Sequence, residues 1–497
     1  MELEVQYDEL RCCSCVLDTV VRREETQEAI VPDALDDIAA VVNVTGTALL
    51  QRCAVMEGSV SCEAAVNAAV LFAPDDGGRI CALEVQVPIR CVTEAYNVKP
   101  EDKLHCSVTL TGLDVKVMNP RKVLVRAEVA LHIQVYTSAE LRFSTGVKQE
   151  SGTLQLRQER LKHCYVVHTA QRSFSYEEGV TVGAGQRRIS HVLHCSGTAY
   201  CTEGKVTGAR ALLKGGVRVC VRYIGQGEQY SCEQYDIPVS QVLDAGMGRE
   251  GDIVLGRLTL TDLQVGYYDE GSITISMELV ADCIILQQRE VDLLSDAYST
   301  QHLCQCRNEE VSVYKLNAYQ CQLIPFRQSL DVELPGVELV DQTVTLADLV
   351  FGGEGGPKGK LKASLCGRDG TGRLLRVEQS CHIDLPCQGS DSELEVTLLE
   401  CGCVVSATGV ELRGSLQVVE LDGVHLDATF LSQITVEDAV AEMGARPSAI
   451  LRRLQPGETL WEVAKCCRAT VGDIMAVNQI SDEADAAGRF LLIPRHR

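Results

Sequence analysis

Val123-Leu-Val-Arg-Ala-Glu-Val-Ala-Leu-His-Ile-Gln-Val135 sets seven apolar side chains at every second position, with Leu124, Arg126, Glu128, Ala130, His132 and Gln134 between them. Period two is the repeat of an extended chain, so this stretch predicts a long strand with one buried face. The alternation returns at Ile273, Ile275, Met277 and Leu279, and again at Val410, Leu412, Gly414, Leu416 and Val418. These recurrences belong to a wider self-similarity. Thr109-Leu-Thr-Gly-Leu-Asp-Val115 reappears as Thr259-Leu-Thr-Asp-Leu-Gln-Val265, and Thr45-Gly-Thr-Ala48 as Ser196-Gly-Thr-Ala199. Gly58 and Gly208, Pro88 and Pro238, and Glu128 and Glu278 keep the same spacing. A third copy is fainter, carried by Pro386 and by Val396-Thr-Leu398.

Turn chemistry separates the runs. Asp75-Asp-Gly-Gly78, Gly225-Gln-Gly227 and Arg368-Asp-Gly-Thr-Gly372 lie between paired alternations and predict hairpin tips, where Gly supplies positive φ. Pro88, Pro238 and Pro386 are expected to follow each hairpin's second strand, where a missing N–H costs least. Helical periodicity is scarce before residue 430, apart from a short candidate over Val436–Met443. The expected fold class is mainly all-β: three tandem β-rich repeats of about 150 residues, at 1–150, 151–300 and a divergent 301–445, followed by a small βααβ domain at 446–497.

Composition narrows the function. The 497 residues are 45% apolar, enough for packed cores, which rules out wholesale disorder. Lys and Arg number 46 against 69 Asp and Glu, a net charge of −23 that repels phosphate. Arg187–Arg188 and Arg452–Arg453 make no basic stripe, so nucleic-acid binding is excluded as the main task. No run of about 18 apolar residues predicts a membrane span. The N-terminal residues carry acids early and lack a basic segment followed by an apolar one, so a cytoplasmic chain is expected.

In a reducing compartment the 24 cysteines read as thiols acting as small buried hydrophobes. Cys53, Cys62, Cys81, Cys91, Cys106, Cys220 and Cys232 sit singly within strand-like segments. Cys12-Cys-Ser-Cys15, His191-Val-Leu-His-Cys195 and His302-Leu-Cys-Gln-Cys306 with Cys321 gather soft ligands. Yet Cys401-Gly-Cys403 has a similar spacing and no nearby His, so neither metal nor cofactor is expected. Nucleophile elbows, zincin helices and phosphate loops are missing, and Gly352-Gly-Glu-Gly-Gly-Pro-Lys-Gly359 reads as a hairpin. No catalytic residue is assigned, and the chain reads as a non-enzyme.

The last fifty residues change period. Thr459 with Glu462 forms a capping box, and Leu460, Val463, Ala464 and Cys467 fall on one helical stripe. Thr470 with Asp473 opens a second helix whose apolar face is read as Val471, Ile474, Met475 and Val477. Leu451–Gln455 and Phe490–Pro494 supply short strands on either side. Trp461, the single Trp, is expected mainly in the small core. Arg452, Arg453, Lys465 and Arg468 make this end locally basic, so it is expected to dock on an acidic partner or on the chain's own acidic repeats.

Gly457, Glu458, Thr459, Leu460, Trp461, Asn478, Gly488, Leu491, Ile493 and Pro494 resemble the LysM domain pattern. That resemblance implies a shallow groove for N-acetylglucosamine polymers between Gly457, Glu458, Thr459 and Leu460 on one side and Asn478, Gln479 and Ile480 on the other. Capping alone also accounts for Thr459 and Asn478. Tandem β repeats ending in a LysM domain, with Ile30-Val-Pro-Asp33 and Asn119-Pro-Arg-Lys-Val123, resemble the SipL family of spore coat morphogenesis proteins, whose repeats are SPOCS domains. The resemblance implies an adaptor in the mother-cell cytoplasm, later in the spore coat, that docks on a spore coat morphogenetic ATPase. The alternative is an N-acetylglucosamine- or peptidoglycan-binding protein of the cell wall or of a phage-tail-type structure.

Overall fold

The alternating stretches form strands far longer than the usual three to ten residues. The computed structural model describes residues 2–75, 78–148, 152–182, 189–269, 272–332, 337–351, 356–387, 393–406, 409–437, 448–455, 457–486 and 488–494. A two-residue strand β1 (Glu2–Leu3) precedes six strands: β2 (Val5–Ile30), β3 (Ile38–Met56), β4 (Ser59–Pro74), β5 (Cys81–Glu94), β6 (Lys103–Asn119) and β7 (Lys122–Val147). The same six-strand order follows as β8 (Leu154–Thr181), β9 (Ile189–Thr207), β10 (Arg210–Gly225), β11 (Tyr230–Asp244), β12 (Ile253–Asp269) and β13 (Ser272–Ser299). It comes a third time as β14 (Leu303–Leu330), β15 (Glu338–Val350), β16 (Lys358–Arg368), β17 (Leu374–Asp384), β18 (Glu393–Ser406) and β19 (Gly409–Glu437). The fold class is all-β, with helix among the described residues confined to the C-terminal end.

Each set of six pairs alike. Its first and last strands run antiparallel along their length, as β2 with β7, β8 with β13 and β14 with β19. The fifth strand flanks the sixth, and the middle three make a separate antiparallel sheet. The quoted alternation is β7, where Val123, Val125, Ala127, Val129, Leu131, Ile133 and Val135 are all buried. They pack on the β3–β4–β5 sheet through Val66, Val70, Val87 and Ile89. Each Val, Leu or Ile side chain so buried contributes about 1.5–3 kcal/mol on leaving water. The second and third sets build equivalent sandwiches around Met277 and Leu279 and around Leu412 and Leu416.

The far halves of the long strands serve a different purpose. Beyond register shifts such as that between Cys15 and Leu17, β2 and β7 leave their own sandwich. Phe143 then packs with Val291, Leu293, Val313 and Phe430, one cluster shared by all three sets. Val147, Leu294 and Ile434 form a second shared cluster. There β1 pairs with Thr435 and Ile434 of β19, tying the start of the chain to the third set.

Several turns follow their chemistry. Gly58 and Gly208 take φ of 73° and 59° at equivalent tips, and Gly227 and Gly372 take 84° and 86°. The first hairpin tip, near Asp75, lies partly outside the described residues. Pro88 and Pro238 depart from expectation. They sit inside β5 and β11, opposite Ala65 and Gly216, and are tolerated because both strands are sheet edges. Pro386 does follow its strand, β17. The Val436–Met443 helix is not found at its start, since Val436 and Glu437 end β19 as strand, and the remainder lies outside the described residues. The first half of the Gly352–Gly359 hairpin also falls outside them, and Lys358 and Gly359 begin β16.

Candidate functional site

The C-terminal module is built from β20 (Ala449–Arg453), α1 (Leu460–Cys467), α2 (Val471–Asn478), a 3-10 turn and β21 (Phe490–Pro494). Thr459 caps α1 as its sequence requires: its Oγ1 accepts from Glu462 N at 3.2 Å, and its own N–H donates to Glu462 Oε2 at 2.8 Å. Thr470 Oγ1 accepts from Asp473 N at 3.0 Å to start α2. Leu460, Val463, Ala464, Cys467 and Ile474 fill the core. Val477 departs from the expected stripe and is 47% exposed, because it lies on the solvent side of α2.

The seven groove candidates have separate duties. Gly457 turns with φ 86°. Glu458 accepts from the Arg452 guanidinium and from Gln455 N, closing the turn before α1. Leu460 and Ile480 are buried together in the core. Asn478 donates to Ile474 O and Leu492 O at 2.7 Å each and accepts from Leu492 N at 2.8 Å, so its amide ties α2 to β21. Gln479 ends α2 in the left-handed region at φ 55° and faces solvent.

Trp461 is not simply core. Its indole packs edge-on to Tyr298 of β13 at 4.9 Å and donates to Asp296 Oδ2 at 2.7 Å. Lys465 binds the same carboxylate, and the Tyr298 hydroxyl donates to Ala469 O at 2.8 Å. The module is therefore seated on the end of β13, where one expected basic residue meets the chain's own acid. The outward face of its β20–β21 sheet carries exposed apolar side chains beside Arg453. Leu451 pairs with Leu492 and Arg453 with Phe490, putting three large side chains outward; Leu451 and Phe490 are each 67% exposed.

A second concave region, of about 360 Å³, lies where the three sets converge, lined by Thr47, Thr198 and Thr345 and by β6, β12 and β18. Two of its ion pairs cross set boundaries. Arg257 of β12 grips Glu395 of β18 through Nε at 3.3 Å and Nη2 at 3.1 Å, and Arg218 meets Glu400 at 2.8 Å. His132 bridges Arg257 and Asp18, with its Nε2 2.8 Å from Asp18 Oδ1. Burial raises the Asp18 carboxyl, but hydrogen bonds from His132 and Gln134 hold it below its ordinary range.

Beside this region is a polar hub that the sequence did not disclose. Asn43, His194 and Asp341 occupy the same position in β3, β9 and β15, next to the clustered Val42, Leu193 and Val340. Asp341 accepts from Asn43 at 2.8 Å, Arg222 Nε at 3.2 Å and the Tyr230 hydroxyl at 2.7 Å. Burial opposes the charge on Arg222, yet Asp341 holds it protonated. Burial, with Arg222 alongside, pushes His194 down to about 3. Three equivalent positions thus became amide, imidazole and carboxylate.

Residues 37–118, the span of β3 to β6, match the family described as SipL, SPOCS domain. No curated protein and no solved structure matches the chain. Over that span the chain is similar to SipL-type SPOCS proteins. Among the described residues no helix is long and apolar enough to cross a membrane.

Proposed function

We propose that this protein is a non-enzymatic adaptor of the SipL type, acting in spore coat assembly in the mother-cell cytoplasm. On this reading residues 1–150, 151–300 and 301–445 are three SPOCS-like units and 446–497 is a LysM domain that docks on a coat morphogenetic ATPase. The observation that carries it is the placement of the last module: anchored through Asp296 and Tyr298, it turns Leu451, Phe490 and Leu492 to solvent. Clustered large apolar side chains on a free face are the mark of a protein partner. Two ion pairs around the central cavity, Arg218–Glu400 and Arg257–Glu395, support a scaffold reading, since both join the second set of strands to the third. The glycan reading finds less support, because Asn478 spends its amide within the module.

Capture from lysates of sporulating cells, with the full chain and with the chain ending before 446, tests the proposal. Recovery of the coat ATPase by the full chain alone supports it. Equal recovery by both chains, or saturable binding of N-acetylglucosamine oligomers to the full chain with no ATPase captured, refutes it.

A further inference from the structure

Four cysteines, one from each of β3, β4, β5 and β6, converge at one end of the first sandwich. Cys53 opposes Cys62 in the β3–β4 register, and Cys62 opposes Cys91 in the β4–β5 register. Directly opposed residues share a face of the sheet, so the three form one row. Cys106 of β6 packs onto that row with its Sγ 3.7 Å from that of Cys62. The sulfurs of Cys53, Cys62 and Cys106 all lie within 4.8 Å of one another. Tetrahedral zinc with bonds of about 2.3 Å has sulfur–sulfur edges of about 3.8 Å, so the spacing suits three ligands of one ion.

Packing alone does not require sulfur here. In the second set the equivalents of Cys53, Cys62 and Cys106 are Gly204, Leu213 and Gly256, and a Cβ on Gly256 would lie 2.5 Å from Leu213 Cδ2 and 2.8 Å from the sulfur of Cys201. One leucine and a single thiol therefore fill the corner where the first set gathers three thiols. Access also differs from that of an ordinary core position. Cys53 and Cys106 line a surface cavity together with Arg52, Asp102, Gln171 and Thr261, which gives a hydrated ion a route in and leaves water at hand.

We infer that Cys53, Cys62 and Cys106 form a zinc site, with water from the adjoining cavity in the fourth position. Binding converts the three thiols to thiolates and releases their protons to solvent, so affinity rises with pH. The site would pin β6 to the β3–β4 hairpin and stiffen the very segment that matches the SPOCS family.

The test uses the full chain, purified with a phosphine reductant and stripped of metal. Cobalt(II) is titrated in and followed by its thiolate charge-transfer band and tetrahedral d–d bands, then displaced with zinc. The expected result is one tight equivalent in the wild type, weakened at least tenfold in Cys53→Ser and in the double variant Cys62→Leu/Cys106→Gly. That double variant places the second set's own residues at positions 62 and 106, leucine facing glycine, which favours a folded core. If it nevertheless fails to fold, Cys53→Ser decides alone, since Cys53 is only half-buried. Cys220→Ser/Cys304→Ser should keep the equivalent. No tetrahedral band in the wild type, or a band that survives Cys53→Ser at full strength, overturns the assignment.

Discussion

The indole N–H of Trp461 donates to Asp296 across 2.7 Å, and Lys465, one helical turn along α1, binds the same carboxylate. A single acid at the end of β13 thus orients the helix that carries the module's only Trp. Asp296→Ala removes both contacts while leaving Tyr298 in place. The pair with Lys465 is half in water and is worth little by itself. Loss of the indole bond to a charged acceptor costs about 1.5–3 kcal/mol. Trp461 emission in Asp296→Ala should shift to the red at temperatures where the wild type is unchanged. An unaltered emission spectrum and melting profile would mean that the seat does not depend on Asp296.

Asp341 and Arg222 are both buried, with Nε and Oδ1 3.2 Å apart. Removing the acid strands a guanidinium in the interior, so Asp341→Ala should cost about 3–5 kcal/mol. The first set offers an uncharged solution at the same positions, with Asn43 and Leu71 in place of acid and arginine. Arg222→Leu/Asp341→Asn should therefore recover most of the loss in urea-unfolding midpoint. A double variant no more stable than Asp341→Ala would show that the pair holds the sets together in a way packing cannot replace.

Acid should loosen the fold well above the carboxylate range. His163 is buried between Phe143 and Tyr165 with neither ring nitrogen partnered, and burial, helped by Arg289, pushes it down to about 4. His194 is pushed to about 3. Unfolded histidine titrates near 6.5, so below that pH the unfolded chain binds protons that the folded chain does not. Stability from these groups is full above about pH 6.5 and is lost as pH falls toward the folded values, by up to roughly 3 kcal/mol for His163. His163→Phe and His194→Asn should flatten the fall in melting temperature between pH 7 and 5. A wild-type slope in the double variant would place the acid sensitivity elsewhere.

What was legible in the sequence was local. The alternation at Val123–Val135 fixes a strand and its buried face, and the Thr459–Glu462 spacing fixes a helix start, because both depend on neighbours within a few residues. Pairing register is not local, and what it creates was hidden. Cys53, Cys62, Cys91 and Cys106 looked solitary because their alignment depends on where β3, β4, β5 and β6 lie against one another. Trp461 reads as core in the sequence because the acid that holds it stands 165 residues earlier. The hub of Asn43, His194 and Asp341 escaped notice for a related reason: a position that carries three different side chains weakens the self-similarity that would reveal it.

Hydrogen exchange of the full chain, alone and mixed with the coat ATPase proposed as its partner, tests most directly whether the outward face of the C-terminal module is the docking surface. The amides of β20 and β21, together with the loop leading into α1, should gain protection on mixing, and Leu451→Glu/Phe490→Glu should abolish both the protection and the complex. Protection confined to the three sandwiches, with an undiminished complex in the double variant, would contradict the account.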